Sequence, residues 1–102
     1  MDYERRRDTV IVRLSGELDH CSAQSIRREL DGLISDQGVK RLILDLKEMS
    51  FMDSSGIAVI IRVSRRMKTL GGRAWIENPA KQPQRVIDAA GIDRLVPVAL
   101  GK

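Results

Sequence analysis

Leu42, Ile43, Leu44 and Leu46 crowd the middle of this chain with apolar side chains and leave it little choice of fold. Such a run, lacking polar alternation, predicts a strand covered on both faces of its sheet. The stretch Ser-Phe-Met-Asp-Ser-Ser-Gly at residues 50–56 follows, and then a second pattern over residues 57–70. There Ile57, Ile60, Ile61 and Met67, with Val59, Val63 and Leu70 widening the face, recur at helical spacing opposite Arg62, Arg65, Arg66 and Thr69. The expectation is a strand, a turn and an amphipathic helix in direct succession. Asp53 or Ser54 can start that helix by accepting a hydrogen bond from a first-turn N–H that has no partner inside the helix. Ser54 and Ser55 then lie at a helix N-terminus, where the N–H groups and the dipole favour negative charge by about 0.3–1 kcal/mol. A phosphate would be tolerated there, although Asp53, Ser54 and Ser55 are equally the residue types that serve as plain caps.

The flanking segments repeat the alternation. Residues 9–14, Thr-Val-Ile-Val-Arg-Leu, read as a β-branched strand, and residues 16–21 as the loop after it. Ser22 is a candidate N-cap for a first helix with Ala23, Ile26, Leu30, Leu33 and Ile34 on one face, closed by Gly38. A strand at 41–46 follows, and strand, helix and strand in this order imply parallel pairing through a right-handed crossover. Gly71 and Gly72 end the central helix, 73–77 forms another strand, and Asn78-Pro79 ends it. Pro83, tolerated only in a first helical turn, places the start of the third helix near itself, with Val86, Ile87 and Ala90 inward and Gly91 as the stop. Residues 95–100 read as a last strand that Pro97 confines to a sheet margin. The fold class is α/β, a small, largely parallel sheet covered by helices. In such sheets ligands and partners meet the loops at the carboxyl ends of the strands, so loops 16–21 and 50–55 are expected to share one surface.

At 102 residues the chain is expected to be one domain, residues 1–102. No apolar run approaches the ~18 residues of a membrane span and no signal-peptide pattern opens the chain, so a cytoplasmic protein without a membrane partner is expected. Cys21 stands alone, which excludes an intrachain disulfide or a cysteine metal cluster and suggests a buried or half-buried, inert thiol. A net charge of +4 raises nucleic acid as a partner, but an aromatic content of 3% leaves no stacking platform, and no direct nucleic-acid contact is expected. The cations fall in separate groups: Arg5, Arg6 and Arg7; Arg27 and Arg28; and Arg62, Arg65, Arg66 and Lys68. They read as solvated helix faces, with an acidic protein partner as the alternative.

Three motifs carry a resemblance that covers nearly the whole chain. Gly16-Glu17-Leu18-Asp19-His20, Leu44-Asp45-Leu46 and the stretch from Ser50 to Gly56 are together similar to the STAS domain of bacterial anti-sigma factor antagonists, most closely the sporulation type. The resemblance implies a STAS-type fold and phosphorylation of Ser54, the serine directly after the motif aspartate. It implies as partners an ATP-binding anti-sigma factor serine kinase, captured by the unmodified form so that the sigma factor is released, and a metal-dependent serine phosphatase that resets the switch. It implies no cofactor and no catalytic residue. Asp53 would orient the hydroxyl or cap the helix, and Gly56 would allow close approach of a partner backbone or tight packing of the helix start. Asp19 and His20 are candidates for the partner-binding rim or simply shape a turn. With them, Asp53, Ser54, Ser55, Gly56 and Ile57 make up the expected partner-binding stretch. One departure is local: residues 79–91 run about two residues longer than the family's usual spacing, with Pro83 inside.

Two other roles differ in class. An enzyme with Ser54 or Ser55 as nucleophile would need a base and an oxyanion site, yet His20 is the only histidine and neither Gly-x-Ser-x-Gly nor a Walker-type loop occurs. A STAS component of a stress-signalling or lipid-transport assembly would share the fold, which by itself does not select among roles.

Overall fold

The computed structural model, which describes residues 1–36 and 38–99, opens on an unanticipated strand, β1 (Asp2–Arg6). It pairs antiparallel with β2 (Thr9–Arg13), through a turn in which Arg7 takes a φ of 57°. Its run of charged residues gave no strand signal, because what holds it is cross-strand pairing. Glu4 accepts from Arg13 at 2.9 Å and from Arg6 at 2.6 Å, and as an edge strand its charges also discourage pairing with other chains.

The chain continues through β3 (Gly16–Leu18), α1 (Ala23–Ile34), β4 (Arg41–Asp45), β5 (Met49–Met52) and α2 (Ser54–Thr69). It ends with β6 (Arg73–Glu77), α3 (Lys81–Ala90), a 3-10 turn at Ile92–Arg94 and β7 (Val98–Ala99). The main sheet has the order β1-β2-β4-β6-β7, and only β1 runs antiparallel. A separate two-stranded sheet pairs β3 with β5 in parallel, inside the two segments read as loops.

Register aligns Val10 with Leu42 and Ala74, and Val12 with Leu44 and Ile76, and these rows join α1, α2 and α3 in one core. The expected cover on both sheet faces is found on one, since α1, α2 and α3 all pack into this same core. Ile43 is 8% exposed but lies outside that core, aligned with the half-buried Ile11 and Trp75 on the opposite face. Its neighbours in the sheet shield it, which periodicity does not distinguish from cover by a helix. On α2, Ile57, Val59, Ile60, Val63 and Met67 are buried as expected, whereas Leu70 is 50% exposed just past the last turn.

The third helix begins at Lys81, two residues before Pro83. Pro83 occupies the first turn, where its missing N–H would have had no helical partner in any case. Pro83 and Ile87 are buried, Val86 is half-buried, and Ala90 faces outward rather than inward; Gly91 stops the helix at a φ of 68°. The last strand is shorter than residues 95–100: Leu95 is exposed, Pro97 is confined to a margin as expected and contributes its carbonyl to the Ile76 N–H at 2.9 Å, and Leu100 lies outside the described residues.

Candidate functional site

Parallel pairing of β3 with β5 sets Leu18 beside Met52, so the loops leaving both strands emerge together. The Asp53 N–H donates to the Leu18 carbonyl at 3.3 Å, carrying the ladder one residue past β5. The Asp53 side chain is the N-cap of α2: its Oδ1 accepts from the Ser55 N–H at 2.8 Å and from the Gly56 N–H at 3.4 Å. Its Oδ2 accepts from the His20 N–H at 3.2 Å. One carboxylate thus closes the helix start and ties the first loop to it, and the surface expected from loops 16–21 and 50–55 exists.

The first loop is held from within. Asp19 Oδ1 accepts from the N–H groups of Cys21 and Ser22, each at 3.0 Å, and the Asp19 carbonyl accepts from the Ala23 N–H at 2.9 Å. Ser22 precedes α1 but makes no side-chain cap; its hydroxyl accepts from the Asp19 N–H and donates to the Glu17 carbonyl at 2.9 Å. Cys21 is exposed rather than buried or half-buried: the side chains that bind this loop together are those of Asp19 and Ser22, and Cys21 contributes only its backbone N–H.

Ser54, the first residue of α2, is exposed, and Ser55 is half-buried. His20 is exposed and Asp19 half-buried, so these four residues and Asp53 frame one surface. Gly56 and Ile57 are buried beneath it. A Cβ on Gly56 would come within 2.5 Å of Met52 Cγ and 3.1 Å of the Leu18 carbonyl oxygen, so the close approach this glycine permits is made within the chain.

Gln82 escaped sequence reading. From the first turn of α3 its side-chain amide accepts from the Met52 N–H at 2.8 Å and donates to the Met52 carbonyl at 3.0 Å, taking the place of a neighbouring strand. No local pattern marks such a residue, because its partner lies thirty positions away. Gln82→Ala leaves both Met52 groups unpaired at a half-buried edge and is expected to cost about 1–2 kcal/mol, read as a lower urea midpoint at unchanged slope.

The Ser22 N–H, helped by the Ser22 hydroxyl and the Cys21 N–H, holds the Asp19 carboxyl below the usual aspartate range. A carboxyl depressed in the folded state contributes stability that is complete above its unfolded pKa, about 4, and is lost as pH falls through the folded value. The stability difference between the native chain and Asp19→Asn should therefore be constant above about pH 5 and shrink below about pH 4. Urea melts across this range check it, and a difference that grows on acidification would contradict the assignment.

Chemically, both Asp53 oxygens are committed to backbone N–H groups, which suits a structural cap and not a base activating a serine. Among the described residues, no group of three His, Cys, Asp or Glu side chains could hold a metal ion, and no helix is long and apolar enough to cross a membrane.

Comparison with known proteins bears on this geometry. Residues 1–101 match the family model of the STAS domain. The chain is 33% identical over 98 residues to an anti-sigma F factor antagonist of Paenibacillus polymyxa, covering 96% of this chain and 84% of that protein. Among solved structures it is similar to the anti-sigma factor antagonist SpoIIAA in its unphosphorylated form, with a TM-score of 0.82 and 31% identity over 96% of this chain and 86% of the other. The phosphorylated form of the Bacillus cell fate determinant SpoIIAA superimposes with a TM-score of 0.73 at 31% identity, covering 96% of this chain and 89% of that one.

Proposed function

The chain belongs to the STAS domain family, and from that premise we propose that it is an anti-sigma factor antagonist of the sporulation type, switched by phosphorylation of Ser54. In this reading residues 1–102 act as one cytoplasmic unit. Its unphosphorylated form binds an ATP-loaded anti-sigma factor serine kinase, which then lets go of its sigma factor, and a metal-dependent serine phosphatase restores the binding form. The chain is the substrate of those enzymes and catalyses nothing itself.

The observation that carries the proposal is the position of Ser54. It is exposed at the start of α2, next to a carboxylate whose hydrogen bonds tie the His20 loop to the helix start. A kinase can reach the hydroxyl without unfolding the domain, and the phosphate then stands on the surface formed by the Asp19–His20 loop and the helix start. Similarity to an anti-sigma factor antagonist solved with and without phosphate supports the same reading.

Incubation with ATP and the cognate kinase should place one phosphate on Ser54. Ser54→Ala should abolish incorporation, and Ser55→Ala should retain most of it, since Ser55 is half-buried. Phosphopeptide mapping that puts the label on Ser55 would overturn the assignment.

A further inference from the structure

The cations of α1 and α2 are not simply spread over solvated faces. A groove of ≈ 460 Å³ runs between the two helices from His20 and Ser55 to Arg27 and Arg62, and a second depression of ≈ 660 Å³, sharing Ala58 and Arg62 with it, continues to Arg65 and Arg66. Ala58 is exposed and Ile61 half-buried, so apolar surface lies between the guanidinium groups. Among the described residues one carboxylate pairs with these cations: Asp31, 3.7 Å from Arg62 and 4.0 Å from Arg66, so a single negative charge is shared between two guanidinium groups. Arg27 Nε is buried without a hydrogen-bond partner.

We infer that this groove is a docking site for an acidic, amphipathic helical segment of a protein partner, with its carboxylates on Arg27, Arg62, Arg65 and Arg66 and its apolar face on Ala58 and Ile61. Charge complementarity selects the partner's sign, since four guanidiniums line the two depressions and the Asp31 carboxylate pairs with two of them, Arg62 and Arg66. Shape selects its form. The upper depression lies between α1 and α2 and the second continues it along α2, an elongated concave path that accepts a helix, as in other groove recognition, and fits the plane of an anionic membrane poorly. From Ser55 to Arg66 the α2 edge spans roughly 16 Å, enough for about three turns of a partner helix. The upper end of the groove is Ser55, directly after Ser54. The inference therefore deepens the proposed switch, on which it rests for its biology: a phosphate on Ser54 would stand at the mouth of the groove with the same sign as the incoming segment.

The test needs no kinase. A fluorescein-labelled 14-residue amphipathic helix with Glu on one face and Leu on the other is titrated into the ¹⁵N-labelled chain at low and at physiological salt. Amide shifts should concentrate at residues 23–31 and 55–66, affinity should fall as salt rises, and the Lys analogue should not bind. Arg62→Glu with Arg65→Glu should weaken binding at least tenfold, while Arg62→Lys with Arg65→Lys stays within about threefold and confirms that charge rather than folding is read. No saturable binding, shifts centred elsewhere, or equal affinity for the charge-reversed variant would overturn the inference. So would a preference for phosphatidylserine vesicles over the peptide that the same reversal abolishes. Because neither ATP nor kinase is present, failure here leaves the phosphopeptide mapping of Ser54 standing, and a label on Ser55 leaves this result standing.

Discussion

Phosphorylation of Ser54 is expected to weaken binding of the nucleotide-loaded anti-sigma factor kinase some hundreds-fold while leaving the domain folded. The helix start offers the phosphate less internal compensation than a bare N-terminus would, because Asp53 already takes the Ser55 and Gly56 N–H groups. Solvent must satisfy it instead, and the exposure of Ser54 allows that. The effect on stability should thus stay within about 1–2 kcal/mol, tilted towards destabilisation by the neighbouring carboxylate. At an interface the same group is stripped of water. Without a facing cation a buried, unpaired charge costs several kcal/mol, and since each 1.4 kcal/mol is tenfold in affinity, a loss of ~3–4 kcal/mol corresponds to some hundreds-fold. Calorimetric titration with Ser54→Ala and Ser54→Asp compares the neutral and charged states. Ala should bind tightly and Asp weakly, with superimposable circular dichroism. Equal affinities would defeat the electrostatic mechanism, and a collapsed spectrum for Asp would replace it with a conformational one.

The second large effect belongs to Gly56. Its missing Cβ is where α2 leaves β5 and crosses Leu18: an added methyl would lie 2.5 Å from Met52 Cγ, 3.0 Å from Leu18 Cγ and 3.1 Å from the Leu18 carbonyl oxygen. Met52 is 0% and Leu18 1% exposed, so neither side chain has free space to move into, and the oxygen belongs to backbone held in the β3–β5 pair. Overpacking of this kind costs about 2–3 kcal/mol for Gly56→Ala, and Gly56→Val, with two further methyls, should cost more. In a domain of this size the Ala variant should melt roughly 10–20 °C lower. Gly32 is the control. It lies inside α1, exposed, with nothing within 4 Å of an added Cβ, so Gly32→Ala should be neutral or stabilise by about 0.5–1 kcal/mol. A Gly56→Ala protein that melts with the native chain would remove the packing role. Loss of kinase binding by such an unaltered fold would show that the glycine meets the partner directly.

Much of this molecule was legible before folding because the relevant physics is local. The buried strand β4, the apolar face of α2, a helix cap at Asp53 or Ser54 and the stops at Gly71 and Gly91 each depend on residues within a few positions of one another. Periodicity and side-chain chemistry report such contacts directly. The motif around Ser54 belongs with them, since a strand end, a cap and a helix start are neighbours in the chain. What tertiary structure alone decided was made by residues far apart. β3 and β5 looked like loops because three or four residues carry too little periodicity, and they became strands only by pairing with each other. β1 needed Arg13 opposite Glu4. Lys81 could start α3 because Pro83 fell within the first turn, and Gln82 found its use only where that turn meets Met52. The hydrogen bond from His20 to Asp53 spans thirty-three positions, and with it the two loops became one surface. Cys21 was misplaced for the same reason: whether a side chain is buried depends on what the rest of the chain brings over it, and nothing local to a three-residue turn states that.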